Sequence, residues 1–178
     1  MTAVKENSGL FQKPRPPVVG QKDQSGQFRP RCWAAALSSW LKVTRDLSWS
    51  VDDLIKMFKQ YLLPNDGLPF QNFADVAGNG AILMGYDIVV PESMTEEYLV
   101  PMLRRSHLYV IIAEGGISHA VVVHGISRRN GTPFIWGMDP MENSYTVGRL
   151  GDFVAFGQKF LVGYAKAALG PATHPIFG

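Results

Sequence analysis

The sequence predicts a single α+β domain, and three observations carry that prediction. The first half of the chain places apolar residues at helical spacing. The second half turns to runs rich in Val, Ile and aromatics, and Gly-containing turns separate those runs. Helices first and an antiparallel sheet afterwards make an α+β arrangement. A length of 178 residues fits one domain with one sizeable core, and 46% hydrophobic and 18% charged residues are ordinary for a folded chain.

Residues 1–22 are polar and Pro-rich, including Pro14-Arg15-Pro16-Pro17. They read as a mobile or extended leader. From Cys32 the apolar positions Trp33, Leu37, Trp40 and Leu41 recur at helical spacing, so a helix starts at or just before Cys32. Ser50 caps a second helix, with Asp52 and Asp53 in the first turn, where the dipole favours them. Its buried stripe is Val51, Leu54, Ile55, Phe58 and Leu62, and Pro64-Asn65-Asp66-Gly67 ends it. A short helix is expected over 71–77, broken by Gly78 and Gly80, and a strand over 86–90. Ser93 with Glu96 resembles a capping box for a helix running to about Arg105, which Pro101 should kink. Strands follow at 108–113, 119–126 and 133–138. Residues 152–158 carry no decisive pattern, and 160–165 form a last strand. The folded domain therefore spans 23–168, between the leader at 1–22 and a C-terminal tail at 169–178. No internal repeat is present.

Composition excludes several functions. The net charge is +2, and the pairs Arg104-Arg105 and Arg128-Arg129 are too small to be a nucleic-acid stripe. One cysteine rules out an intramolecular disulfide, and one cysteine with four dispersed histidines gives no cluster at metal spacing. No phosphate-binding Gly loop ends in Gly-Lys-Ser/Thr, so neither a cofactor nor a metal is expected. No apolar run is long enough to span a membrane. Residues 1–20 lack the apolar stretch of a signal peptide, which points to the cytoplasm or to delivery into a target cell by a specialised system.

The chemistry centres on Arg31-Cys32-Trp33-Ala34-Ala35-Ala36. A cysteine attacks as thiolate, and a free thiol is mostly protonated at neutral pH. A helix start supplies unpaired N–H groups and a positive dipole end, and a nearby imidazolium adds a full charge. Together these can bring a thiol to about 3.5–7.5. Two histidines compete for the base. On one strand, His119, Val121 and Val123 share a face, and Ala120, Val122 and His124 share the other. His119 sits at the strand mouth, behind the turn Glu114-Gly115-Gly116-Ile117-Ser118, and is the candidate base; His124 reads as a sheet residue, and His107 and His174 as surface histidines. A base needs its second ring nitrogen fixed. Asp139 is the candidate: it ends a strand beginning near Pro133, Pro140 biases it toward an extended conformation, and its carboxylate can reach the imidazole if that strand lies beside the strand of His119. Acyl transfer also needs donors for the oxyanion. The backbone N–H of Cys32 is one; Gln27 is the nearest side-chain amide, and Gln24 the next.

These pieces resemble the papain-like cysteine peptidases. The closer likeness is to the compact bacterial branch, with its bacteriocin-processing-type peptidases and papain-like effectors. The matching residues are Gln27 ahead of Cys32-Trp33-Ala34-Ala35, then Ser118-His119-Ala120-Val121-Val122-Val123-His124-Gly125, then Asp139-Pro140. The resemblance implies a papain-like fold in which the nucleophile helix packs on a small antiparallel sheet. It implies Cys32 as nucleophile, His119 as base, Asp139 as orienter and Gln27 as oxyanion donor. In much of the family the glutamine lies one residue further from the cysteine, at the position of Gly26 here.

The leading expectation is a thiol hydrolase that cleaves protein or peptide substrates through a thioester acyl-enzyme. A bacterial effector or toxin acting on a host or competitor-cell protein is the context it suggests. The same three residues would serve a Gln/Asn deamidase or a transglutaminase. A catalytically silent papain-like binding module is the alternative from another class, because folds outlive their chemistry.

Overall fold

Val, Ile and aromatic residues dominate the second half of the chain, and they build one antiparallel sheet. The computed structural model describes residues 9–23, 25–78 and 82–166. Among them the strands are β1 (Gly9–Gln12), β2 (Met84–Val89), β3 (Leu108–Glu114), β4 (Ile117–Arg129), β5 (Thr132–Asp139), β6 (Ser144–Arg149) and β7 (Lys159–Ala165). Their order is β2-β7-β3-β4-β5-β6, with β1 pairing to β4. Two tight hairpins set the central register. Gly115-Gly116 joins β3 to β4 and Asn130-Gly131 joins β4 to β5, and all four residues have positive φ. That is the backbone required by a two-residue hairpin turn whose twist matches the strands. The β3 partner of His119 is Ile112. β1 takes over alongside the far half of β4, with Gln12 opposite Gly125.

Five helices accompany the sheet among the described residues: α1 (Cys32–Arg45), α2 (Val51–Met57), α3 (Phe73–Ala77), α4 (Glu96–Arg105) and α5 (Leu150–Phe156). α1 packs across β4 and β3. Its apolar stripe, Trp33, Leu37, Trp40 and Leu41, is fully buried with Ala120 and Val122 of β4. A second cluster holds Val121 and Val123 together with Leu99, Leu103 and Phe160. β4 thus sends alternate side chains into two cores, as the two-residue period requires. A register shift between Val123 and Gly125 leaves His124 as the extra residue of a bulge. The bulge resets the alternation, so Ile126 joins the cluster of Val121 and Val123.

Several local expectations change. The capping hydroxyl of α4 is Thr95, which accepts from the Tyr98 N–H at 3.3 Å, whereas Ser93 lies in a 3-10 turn at Pro91–Ser93. Thr95 has the extended backbone a cap needs (φ −111, ψ 169). α4 runs through Pro101 to Arg105. Residues 150–156 are helical, and β6 is a strand that the sequence reading lacks. The second helix ends at Met57, with a 3-10 turn at Lys59–Tyr61 after it. His107, expected at the surface, is buried. Residues 9–21, expected in the leader, lie along the sheet: β1 pairs with β4, and Pro16 and Gln21 are buried. Residues 1–8, Gln24, Gly80, His174 and the tail at 169–178 lie outside the described residues.

Candidate active site

Cys32 is the first residue of α1, and no side chain caps that helix start. The first N–H groups there lack intrahelical partners by construction. The helix tip is fixed from outside. The Arg31 guanidinium donates to Asp66 Oδ2 at 2.7 Å and to Asp52 Oδ1 at 3.0 Å. The Trp33 indole donates to the Asp66 carbonyl at 2.8 Å, and the Tyr109 hydroxyl to the Trp33 carbonyl at 3.0 Å. Burial, and then the negative charge of Cys32, push the Tyr109 hydroxyl well above its ordinary titration range, so it remains a donor. Cys32 is 8% exposed, and its thiol approaches the Ser118 carbonyl at 3.8 Å. The helix that carries the cysteine is thereby set against the mouth of β4.

His119 follows Ser118 on β4, and Asp139 ends β5. His119 Nε2 bonds Asp139 Oδ1 at 2.9 Å. The same oxygen accepts the Met141 N–H at 2.8 Å, which fixes the carboxylate. His119 Nδ1 is buried without a hydrogen-bond partner of ordinary geometry. That leaves it open to the Cys32 thiol, whose hydrogen bonding and charge act on the imidazole. Burial opposes the imidazolium, but Asp139 and Cys32 outweigh it and hold His119 at about 9. For Asp139, burial works against the carboxylate, yet the His119 contact and the backbone N–H groups of Met141 and Glu142 hold it below its usual range. The structure thus brings Cys32, His119 and Asp139 together. His124 faces elsewhere: it is fully buried, and its ring packs edge-on against Tyr145 with centroids 6.0 Å apart.

Cys32, His119 and Asp139 open onto a cavity of about 800 Å³. Its walls include Val121, Val123, Ile135 and Phe153. Gln27 is exposed and is not among the lining residues; its N–H donates to Asp23 Oδ1 at 2.9 Å. A different glutamine lines the cavity. Gln21 is 2% exposed, and its Nε2 is buried with no partner. Sequence proximity favoured Gln27; Gln21 is further from Cys32 in the chain, and only the path of residues 13–21 over the sheet brings it to the cavity. Among the described residues no three His, Cys, Asp or Glu side chains group to hold a metal. No helix among them is long and apolar enough to cross a membrane.

The family model described as papain-like cysteine protease AvrRpt2 matches residues 18–156. This chain belongs to the AvrRpt2 family of papain-like cysteine proteases. The match begins inside the segment that carries Gln21 and ends with α5, so it takes in Cys32, His119 and Asp139 together. The family is described as one of cysteine proteases. A solved structure titled "Crystal structure of UfSP from C.elegans" shares the fold, with a TM-score of 0.58 at 11% identity over 92% of this chain. This AvrRpt2-family chain spans about a third of that protein's length, 35%. No curated protein matches it in sequence.

Proposed function

We propose that the protein hydrolyses amide bonds through a thioester on Cys32, with His119 as acid and base and Asp139 as the group that aims it. The observation that carries this reading is the His119–Asp139 bond of 2.9 Å, with Nδ1 left open to the cysteine. An imidazolium donates at both nitrogens, to Asp139 through Nε2 and to sulfur through Nδ1. The thiolate attacks the substrate carbonyl carbon, and the oxyanion draws on the N–H groups at the start of α1. We assign the second oxyanion donor to the Gln21 Nε2 amide in place of Gln27, because Gln21 lines the cavity with a buried, unspent donor. Collapse of the tetrahedral species expels the amine, which takes the Nδ1 proton. The neutral imidazole then removes a proton from water. The hydroxide adds to the thioester carbonyl, collapse expels the Cys32 thiolate beside the reformed imidazolium, and the product is a carboxylic acid.

Cys32→Ala and His119→Ala should each abolish activity while far-UV circular dichroism stays unchanged. Iodoacetamide should label Cys32 readily at neutral pH, and labelling that climbs steadily to pH 9, as for an ordinary thiol, would overturn the reading. The target and its bond are found by mass spectrometry of host or competitor-cell proteins treated with wild type and with Cys32→Ala. New fragments mean proteolysis; a gain of about one dalton without fragmentation means side-chain deamidation by the same acyl-enzyme. An effector or toxin role, reached by delivery into a target cell, belongs to the same proposal. It is tested by expression in such cells, where harmless expression would count against it. Cys32→Ser with full biological effect would instead favour a binding module.

A further inference from the structure

Residues 13–21 leave β1 and run to the cavity without entering a strand or helix, and Gln21, the last of them, lines it. Prolines at 14, 16 and 17 have no N–H to donate, so the segment offers mainly carbonyl acceptors. Three donors from three separate elements meet them. The His107 ring donates through Nε2 to the Pro14 carbonyl at 2.7 Å, from the loop ahead of β3. The Tyr145 hydroxyl donates to the Pro16 carbonyl at 2.7 Å, from β6. The Ser39 hydroxyl, fully buried on α1, donates to the Pro17 carbonyl at 2.6 Å. Pro16 is buried, and the Arg15 guanidinium lies 4.9 Å from the centre of the Tyr145 ring. Gly20 then passes close to Asn143, whose Oδ1 would stand 2.7 Å from a Cβ there. The clamps touch neither Cys32, His119 nor Asp139. Their donor groups fix the path that ends at Gln21.

We propose that residues 13–21 are a regulatory strap: docked, it delivers Gln21 to the oxyanion site, and released, it leaves the Cys32–His119–Asp139 group assembled but unable to hydrolyse. This rests on the reading of Gln21 as oxyanion donor. Release means losing the side-chain clamps on the carbonyls, the Arg15 contact with the Tyr145 ring and the burial of Pro16 and Gln21; no β-ladder among the described residues extends past β1 into the segment, where the Lys13 N–H donates to the His124 carbonyl at 2.8 Å. Any partner that offers three better donors to a Pro-rich carbonyl track would compete for it. The strap is therefore a switch on turnover and not on thiol reactivity.

The test separates those two properties in the full chain. Tyr145→Phe with Ser39→Ala removes two clamps with little change in shape. Hydrolysis of p-nitrophenyl acetate reads the oxyanion site, and iodoacetamide alkylation of Cys32 reads the thiol–imidazole pair without it. The double variant should lose about 10-fold or more in hydrolysis, approaching the ~10²–10³-fold loss expected on removing an oxyanion donor. Alkylation should stay within about twofold, and amide hydrogen exchange should quicken at residues 18–21 and not in β4. Gln21→Ala should reproduce the loss, and the clamp substitutions should add nothing in that background. Intact hydrolysis in the double variant, a parallel fall in alkylation, or a further loss on top of Gln21→Ala would each overturn the strap. The milder Tyr145→Phe alone should show the same pattern at smaller size if the double variant folds poorly. A wild-type protein that hydrolyses equally well as Cys32→Ala would instead sink the thiol-hydrolase reading beneath it.

Discussion

Removing the Asp139 carboxylate should collapse the charge on His119. In the folded protein His119 titrates at about 9, against an ordinary 6.5, with burial working against the charge and Asp139 foremost among the groups that support it. At pH 7.5 a group titrating at about 9 is about 97% protonated, and one titrating at 6.5 is about 9% protonated. The difference corresponds to about 3 kcal/mol of preferential stabilisation of the imidazolium. Asp139→Ala removes both the hydrogen bond and the charge, so His119 should fall well below 9, with burial opposed only by the remaining Cys32 contact. Asp139→Asn keeps an acceptor for His119 Nε2 and the Met141 N–H and loses only the charge, so it should fall between. The assay is NMR titration of the histidine ring protons, with His119 assigned by its loss in His119→Ala. The linkage has a definite sign. A raised histidine contributes stability that is fully present below 6.5 and is lost as pH rises through about 9. Urea titrations of wild type should therefore show falling stability from pH 7 to 10, and Asp139→Ala should show a smaller fall. His119 titrating near 6.5 in the wild type, or near 9 in Asp139→Ala, would refute the argument that the carboxylate sustains the imidazolium.

Other expected outcomes follow from neighbouring features. His124 is held at about 4, first by burial and then by the charges of His107 and Arg15, so wild-type stability should drop as pH falls from 6.5 through about 4; His124→Phe, which can keep the edge-on contact with Tyr145, should flatten that acid limb in urea titrations. Arg31→Met should cost about 1–2 kcal/mol, because Asp52 and Asp66 are partly exposed and screened, and it should lower turnover more than Lys56→Met, measured by urea melts and hydrolysis rates. Gly157→Ala should cost about 1–3 kcal/mol by overpacking, since its Cβ would stand 2.5 Å from the Phe160 ring and 2.9 Å from Ile112 Cγ2; a melting temperature equal to wild type would refute this.

The parts legible in the sequence are those written by local periodicity. Trp33, Leu37, Trp40 and Leu41 announce α1 and place Cys32 at its tip; alternation along β4 separates His119 from His124; Asp139 ends its strand before Pro140. What stayed hidden depends on tertiary path or on weak patterning. β6 is exposed at nearly every position, so it carries no alternation to read. Thr95 outcompetes Ser93 as a cap because a Pro-led 3-10 turn has already taken Ser93. The bulge at His124 shifts Ile126 between faces, and the adjacent Gly125 is its one mark in the sequence, too common in strands and turns to fix a register by itself. The approach of Gln21 to the cavity is not legible because it depends on where a Pro-rich segment is tied, and the ties come from His107, Tyr145 and Ser39, far away in the chain.

Unmet polar groups differ between the site and the core; Arg45 Nε belongs to neither, its guanidinium donating through Nη2 to the Leu83 and Lys166 carbonyls. Burying a donor or acceptor without a partner is costly, so each such group in a folded chain calls for a physical reason. Gln21 Nε2 and His119 Nδ1 are both buried and unmatched, and both belong to residues lining the cavity beside Cys32. On the proposed mechanism a substrate carbonyl and the reacting thiol are the partners these two atoms lack, and their cost would be recovered as the reaction proceeds. The two ring nitrogens of His124 are also unmatched, but they sit under the strap and away from the cavity lining. No substrate satisfies them there. The sequence tolerates them because the ring can remain neutral above about pH 4, and its face and edge still pack against Tyr145, the same side chain that holds the Pro16 carbonyl. The two kinds of orphan should respond oppositely to substitution: apolar replacement at His124 raises stability and leaves chemistry, whereas apolar replacement at Gln21 raises stability and removes turnover.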